Sequence, residues 1–298
     1  MRIASNTVSD NIVRQIQQLS SQQAKLQNQV STGQRISQPE DDPAAVGRVL
    51  NLESERRQLT QYGNNASTAL ALAQASSSGL QAMKKISDRA GQLATLGTGV
   101  LGADAMTADA TEVDQMIEQA VQTANTQFSG NYIYAGTAVA APPVSATRDA
   151  NGQVTSVAYV GNATQAAIPL SDAASVTPGT DGATNTSLAD FINNLVSLRD
   201  ALKSGDTANV SATQANLTSS ENTLVSAIAD NGGVQTRIEA SQSQQTDRQT
   251  SLDALVSSEV DADMPSTIVK LTQTQTAYQA ALQSAAKIMN LSLLDYIK

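Results

Sequence analysis

The side chains in this sequence that could carry out chemistry are carboxylates, serines and lysines, because the chain contains no His, Cys or Trp. The densest carboxylate group is Glu40-Asp41-Asp42, and carboxylate oxygens are ligands that hard cations prefer. The triplet lacks the oxygen-ligand spacing of a calcium loop. Asp42 stands directly before Pro43, an order typical of a helix N-cap followed by proline in the first helical position. We therefore interpret the triplet as a helix cap and expect no metal site and no cofactor.

The composition argues against most functional classes. Without His and Cys, the usual general base at neutral pH, the thiol nucleophile and the common soft metal ligands are missing. A formal net charge of −9 argues against a nucleic-acid partner, which needs clustered Lys and Arg. No apolar run approaches the length of a membrane span, and residues 1–10 lack the apolar core of a cleavable signal peptide. We expect a protein that is not an enzyme and does not insert into a membrane.

The segment from Ser31 to Arg48 is a sharp break between two helix-forming stretches. Gly33 follows a long apolar-periodic run and can end that helix in the left-handed conformation. Pro39 and Pro43 prevent simple continuation, since each removes a backbone donor and restricts the residue before it. The sequence therefore predicts two long helices that meet at a rigid elbow.

The N-terminal helix carries a narrow apolar stripe between residues 11 and 30. Its members are spaced alternately four and three residues apart, and only Gln23 interrupts them. They are Ile12, Ile16, Leu19, Leu26 and Val30. Such a heptad pattern is compatible with one helix of an ordinary bundle, or with a coiled-coil arm used for assembly. The second interpretation requires a partner stripe elsewhere in the chain.

The C-terminal stretch supplies such a partner. With Gln275 included, its stripe also alternates spacings of three and four, and an apolar tail follows it. The stripe and tail comprise Ile268, Leu271, Tyr278, Leu282, Ala285, Met289, Leu293 and Leu294. The two ends of the chain can therefore form an antiparallel pair. That pair should be marginal by itself, because short isolated helices are unstable without tertiary contacts, so burial against neighbouring copies is expected to stabilise it.

The middle of the chain changes period twice. Further helices are expected at about 44–97, 107–128, 188–203, 207–229 and 234–260, with Asn231-Gly232-Gly233 as a turn between the last two. From Val154 to Val160 the period becomes two, and Asn151-Gly152 supplies a tight hairpin turn. The predicted regions are an N-terminal assembly helix and elbow (1–43), a helical rod in two halves (44–130 and 188–263), a β-rich outer domain (131–187) and a C-terminal assembly helix (264–298).

These motifs resemble those of the flagellin-like axial proteins of bacterial flagella. The flagellin elbow reads like SSGLRINSAKDDAAG, and residues 31–36 and 40–44 match it. Four features are more similar to the hook–filament junction members of the family than to filament flagellins: Pro43 after the paired aspartates, Met1-Arg2-Ile3, Phe128–Gly136 and Ser292–Tyr296. The resemblance marks as elbow residues Gly33, Arg35, Pro39, Asp41, Asp42 and Pro43.

The resemblance implies a mainly α fold, an elongated flagellin-like helical rod with paired terminal coiled-coil helices and a small β-rich central domain. It implies a structural adaptor that leaves the cell through the flagellar type III system and polymerises into a homo-oligomeric ring at the hook–filament junction. The implied partners are a neighbouring hook-associated protein, flagellin or the filament cap, and a flagellar export chaperone. Two alternatives remain open, a filament-forming flagellin and a generic secreted helical scaffold.

Overall fold

The computed structural model describes residues 2–99 and 102–296 of the chain. Within them it contains six helices: α1 (Arg2–Thr32), α2 (Pro43–Gly97), α3 (Ala103–Ala124), α4 (Gly182–Ser204), α5 (Thr207–Val260) and α6 (Met264–Tyr296). Three antiparallel strand pairs complete it: β1 (Gln127–Phe128) with β2 (Asn131–Tyr132), β3 (Val144–Arg148) with β4 (Val154–Tyr159), and β5 (Ile168–Pro169) with β6 (Ser175–Val176). The predicted mainly α fold with a small β region is confirmed.

The chain divides into two compact units. The first contains Met1–Gln58 and Arg248–Lys298, and the second contains Leu59–Asp247. Helices α2 and α5 contribute residues to both units, whereas α1 and α6 belong to the first and α3, α4 and the strands belong to the second. In the first unit α1 packs against α6, and in the second α3 packs against α4.

The second unit has a large core in which α3 and α4 meet parts of α2 and α5. Its largest fully buried side chains are Leu80, Met83 and Leu93 of α2, Ile117 of α3, Tyr134 after β2, and Leu188, Phe191, Ile192, Leu195, Leu198 and Leu202 of α4. Helix α4 begins after Asp181, whose carboxylate accepts a hydrogen bond from the Thr184 amide at 2.7 Å. It ends at Gly205 in the left-handed conformation.

A separate small core lies farther along α2 and α5 in the same unit. It consists of Ala66, Ala69 and Ala73 from α2, Ile238 from α5, and Leu170 and Val176 from the β5–β6 segment. Two side-chain amides hold this segment on the helices. Asn65 donates to the Pro169 carbonyl at 2.9 Å, and Gln245 donates to the Leu170 carbonyl at 2.7 Å. The alanines allow this close cover, because they add little volume to the helix surface.

The β3–β4 hairpin is attached to the helices through amide side chains. Asn125 after α3 both donates to and accepts from the backbone of Val144, at 3.0 Å in each direction. Asn193 of α4 does the same with Val157, at 2.8 Å in each direction. Each amide therefore satisfies a strand N–H and C=O that a neighbouring strand would otherwise pair.

A buried guanidinium joins three elements of the second unit. Arg199 of α4 is 5% exposed, and its Nη1 donates to Asp114 of α3 at 3.0 Å and to the Val154 carbonyl of β4 at 2.7 Å. Its other donors face Asp200. A buried charge is tolerated only when it is paired and hydrogen-bonded, and these contacts meet that requirement.

Two local predictions are wrong. Helix α5 continues through Asn231-Gly232-Gly233, where a turn is expected from the sequence, because buried side chains on both sides keep it against its neighbours. The predicted hairpin is present with Asn151-Gly152 in its loop (149–153), but the strand pairing shifts register between Thr147 and Arg148, so the predicted strict alternation fails. Because of that shift, Val154 and Val157 are both buried, which strict alternation does not predict.

Removing the buried guanidinium should destabilise the second unit. We expect Arg199→Met to lower the free energy of unfolding by about 2 kcal/mol, since it leaves the Asp114 carboxylate without its partner. Urea unfolding followed by circular dichroism measures the loss. Arg89→Met is the matched control, because its ion pair with Glu112 is solvent-exposed and should contribute far less. Equal losses for the two variants would contradict the expectation.

Candidate assembly interface

The elbow between α1 and α2 is formed by the residues that the sequence singles out. Gly33 ends α1 with φ 72°, and its amide donates to the Gln29 carbonyl at 2.9 Å. Asp42 precedes the first residue of α2, and its carboxylate accepts a hydrogen bond from the Ala45 amide at 3.0 Å. The end of α1 and the start of α2 therefore have the caps that the sequence predicts.

Asp41 closes the loop inside the elbow. One of its carboxylate oxygens accepts hydrogen bonds from the amides of Ser37 at 3.0 Å and Gln38 at 3.1 Å. The other accepts from Lys25 Nζ of α1 at 2.7 Å. The Lys25 hydrogen bond, with those of the two amides, holds the pKa of Asp41 well below its ordinary value. The Asp41 carboxylate therefore bonds to groups within the elbow, which is consistent with interpreting the acidic triplet as a structural cap.

The elbow is joined to the break between α5 and α6, residues 261–263, through the backbone. The Arg35 amide donates to the Val260 carbonyl at 2.7 Å, and the Ala262 amide donates to the Gly33 carbonyl at 2.8 Å. Gln34 and Asp261 thereby form an isolated antiparallel bridge. The sequence indicates both breaks but not their pairing.

Two arginines strengthen this connection, and we call the backbone bridge and their contacts the clasp. Arg48 of α2 donates to both carboxylate oxygens of Glu259, at 2.9 and 2.8 Å, and Arg35 donates to the Glu259 carbonyl at 2.7 Å. Arg35 also pairs with Asp42 at 3.3 Å. The Arg48 hydrogen bond lowers the pKa of Glu259, and the Ala45 amide, followed by Arg35, lowers that of Asp42.

Sequence reasoning misses Arg48 and Glu259. The available signal is their position, since Arg48 is in the first turns of α2 and Glu259 is in the last turn of α5, each next to a predicted break. A charged group at residues 53–57 of α2 also makes contacts with α5. Arg56 contacts Asp253 at 3.4 Å, and Arg248 contacts Glu55 at 2.6 Å, so α2 and α5 are linked within the first unit.

The predicted stripe of α1 faces its partner helix. Leu26 is buried, and Ile12, Ile16, Leu19 and Val30 are half-buried, as is Gln23. Because the end of α1 is bonded to the residues before α6, and the two helices pack together, they run antiparallel.

The stripe of α6 differs from the predicted one. Leu271, Tyr278 and Ala285 are half-buried, but Ile268 and Leu282 are 47% and 43% exposed. Thr267 and Thr274 occupy buried positions of this face. Each threonine hydroxyl donates to a carbonyl four residues earlier at 2.8 Å, so its burial leaves no unpaired donor. The side chains of Met289, Leu293 and Leu294 lie outside the described residues.

Several apolar side chains of the first unit remain uncovered. On the terminal helices these are Val13, Ile268, Val269 and Leu282, which are 43–55% exposed. Beside the elbow, a shallow apolar groove is lined by Ile36, Pro39, Val46, Val49, Leu50 and Val260, and Leu50 is 61% exposed. Exposed apolar groups that recur on paired helices are typical of surfaces that contact another protein.

The described part of the chain shows neither a membrane-crossing helix nor a clustered metal-ligand set. No helix within residues 2–99 and 102–296 has the length and apolarity needed to cross a membrane. Across the same residues, no three carboxylates are grouped in a way that could hold a metal ion.

Comparison with known sequences finds matches to bacterial flagellar proteins. Residues 3–139 match the bacterial flagellin N-terminal helical region. Flagellar hook-associated protein 3 of Salmonella typhimurium is 29% identical over 145 residues, which cover 48% of this chain and 46% of that relative. Flagellar hook-associated protein 3 of Escherichia coli is 24% identical over the full length of both chains.

Comparison with solved structures finds chains with a fold similar to this one. The crystal structure of Bacillus cereus FlgL has a TM-score of 0.59 at 18% identity and covers 70% of this chain and 99% of its own. The crystal structure of Xanthomonas campestris FlgL has a TM-score of 0.56 at 13% identity and covers 69% and 99%. At these identities the similarity is one of fold.

The elbow glycine should be more sensitive to substitution than a glycine inside α2. We expect Gly33→Ala to cost about 1 kcal/mol of unfolding free energy, because alanine is strained at its positive φ although nothing lies within 4 Å of the new carbon. Gly47→Ala is the matched control. It also has open space around it, has helical backbone angles, and should stabilise by up to about 1 kcal/mol. Changes of the same sign in urea unfolding would contradict this.

Acid should loosen the elbow. Because folding lowers the pKa values of Asp41, Asp42 and Glu259, the folded elbow binds fewer protons than the unfolded chain. This stabilisation is complete above the unfolded pKa values, about 4, and is lost as the pH falls through the lowered ones. Carboxyl-carbon NMR titration should give three midpoints below the ordinary values. Lys25→Met should raise the midpoint of Asp41 and leave that of Glu259 unchanged, and ordinary midpoints for all three would refute the expectation.

Proposed function

We infer the function of this chain from its family: it is a flagellin-like protein, and we propose that it is the structural adaptor that joins the hook of a bacterial flagellum to its filament. The observation that carries this proposal is the similarity to hook-associated protein 3 over the whole chain. The clasped elbow and the pairing of α1 with α6 also support this proposal, because they hold the two terminal helices together. The role is mechanical, and the chain is proposed to act without a catalytic step.

We assign the assembly surface to the terminal helix pair. Within the described residues of α1 only Leu26 of the stripe is fully buried, so the pair by itself buries little apolar area. Contact with neighbouring copies would cover Val13, Ile268, Val269 and Leu282 and would add the missing burial. This supports a homo-oligomeric ring in which α1 and α6 line the inner wall.

We assign the elbow a positioning role. The clasp holds the start of α2, the end of α1 and the start of α6 at one point of the first unit. A fixed geometry there would present the same apolar surfaces on every copy, which a ring of identical subunits requires.

The remaining partners follow from the adaptor role. One end of the ring would contact a neighbouring hook-associated protein, and the other would contact flagellin or the filament cap. The chain would leave the cell through the flagellar type III system and would lie outside the cell at the hook–filament junction. An export chaperone would bind the apolar side of α6 before assembly, in a helix-in-groove mode.

One alternative has an observation in its favour. The match to the flagellin N-terminal region covers residues 3–139 and would equally fit a subunit that propagates a filament. Pro43, which begins α2 in this chain, resembles the junction members more than the filament members of the family.

A seeded assembly experiment separates the two roles. Isolated hooks that carry the preceding hook-associated ring are incubated with the purified chain and viewed by electron microscopy. A short terminal zone that stops growing, and then accepts flagellin, is the expected result. Long filaments of this chain alone would instead identify a flagellin. Absence of any incorporation would leave only a generic helical scaffold.

A charge on the outer side of α6 should block assembly without unfolding the chain. Leu282 is 43% exposed, so Leu282→Asp should leave the circular dichroism spectrum unchanged while abolishing incorporation, because the carboxylate would be buried unpaired between copies. Gln283→Asp adds the same charge at the adjacent exposed position and is the matched control. Normal incorporation of Leu282→Asp would remove this side chain from the interface.

A further inference from the structure

The fully buried residues of the two cores are separated at one level of α2 and α5. On α2 the small core ends at Ala73, and the next buried apolar side chain, Leu80, belongs to the large core. On α5 the large core ends at Ala227, and the next buried apolar side chain is Ile238 of the small core. Half-buried side chains narrow these gaps, because Leu72 of α2 and Ile228 of α5 pack against the large core and Val234 of α5 packs against the small one. Residues 74–79 of α2 and 229–233 of α5 contribute no apolar side chain to either core.

The two gaps lie opposite each other. Gln242 donates to the Ser67 hydroxyl at 3.4 Å, and Gln214 donates to the Thr95 hydroxyl at 3.0 Å. These contacts fix an antiparallel register in which residues 76–79 of α2 lie level with residues 230–233 of α5. Neither helix therefore contributes an apolar core side chain at this level.

Both helices have weak helix formers at this level. Helix α2 reads Ser76-Ser77-Ser78-Gly79, and α5 reads Asn231-Gly232-Gly233. Glycine is the weakest helix former after proline, and serine and asparagine are poor ones. No atom lies within 4 Å of a side-chain carbon added at Gly232 or Gly233, so packing does not explain these glycines. Gly79 differs, because an added carbon would lie 2.2 Å from the Tyr134 hydroxyl.

Polar groups fill the gap between the cores. Ser76 is fully buried, and its hydroxyl has no hydrogen-bond partner. Asn231 is 5% exposed and, with Asp181 and Asp230, lines a polar cavity of about 140 Å³. One aromatic side chain reaches the level, since the Tyr134 hydroxyl donates to the Ser76 carbonyl at 2.8 Å.

We propose that residues 76–79 and 230–233 form a joint at which α2 and α5 bend together. The packed helix segments on either side of this level are then rigid, and the helix backbones of residues 76–79 and 230–233 are the compliant element. Tyr134 restrains the joint from one side by holding the Ser76 carbonyl. This inference does not rest on the proposed function, because it concerns the isolated chain.

Amide hydrogen exchange on the purified full chain tests the joint. Amides at 76–80 and 229–235 should exchange faster than those at 86–93 and 217–224, although all are helical. Replacing both glycines, Gly232→Ala with Gly233→Ala, should slow exchange at the joint on the order of tenfold, because alanine strengthens the helix there. Gly91→Ala is the matched control, since it also has open space in α2 but lies beside the large core, and it should leave joint exchange unchanged.

Distance measurements provide a second readout. The double variant Thr218→Cys/Gln244→Cys places one spin label on each side of the joint, at two exposed positions. Because the chain contains no cysteine of its own, no other site is labelled. We expect a broad distance distribution that narrows in the double-alanine variant and broadens further with Tyr134→Phe. Uniform exchange along both helices, or one narrow distribution that neither variant changes, would overturn the proposal. Both results are independent of assembly on hooks, so they test the joint even if the adaptor role is wrong.

Discussion

The first unit depends on the clasp between the elbow and the break that precedes α6. Two backbone hydrogen bonds bring residues 33–35 beside residues 260–262, and Arg48 and Arg35 hold Glu259 from two directions. Without it, α1 and α6 would be two narrow-striped helices at opposite ends of the sequence, each too weakly apolar to be stable alone. The clasp makes their pairing a local event, since α1 ends and α6 begins at one anchored point.

Features encoded locally were predictable from the sequence. Gly33, Asp42 and Pro43 are recognisable because a left-handed cap, an N-cap and a first-turn proline each favour particular residue types. The α1 stripe was predictable for a similar reason, since a helix that is covered on one side carries apolar residues at regular three- and four-residue spacings. Features that depend on distant residues were not predictable. No local pattern links Arg48 to Glu259, whose contact spans most of the chain.

The differences from prediction on α5 and on α6 share a cause, because tertiary contacts overrode a local signal. Helix α5 passes through Gly232 and Gly233 because buried residues before and after them hold the helix in place. On α6, the apolar Ile268 is exposed while Thr267 is buried, since a threonine that bonds its own helix backbone behaves as a small, self-satisfied side chain. The apolar spacing of α6 therefore predicts the half-buried Leu271, Tyr278 and Ala285, but it also includes Ile268 and Leu282, which are exposed.

The threonines of α6 have a thermodynamic consequence for the helix pair. A face on which Thr267 and Thr274 are the buried residues, and Leu271, Tyr278 and the alanines are only half-buried, removes less hydrocarbon from water than a fully apolar one when α1 docks on it. The heat-capacity change of pairing follows the apolar area that is dehydrated, so it should be small for the isolated pair and large only when the outer leucine and isoleucine side chains are also covered. The calorimetric signature of this chain would then belong mainly to the contacts between subunits.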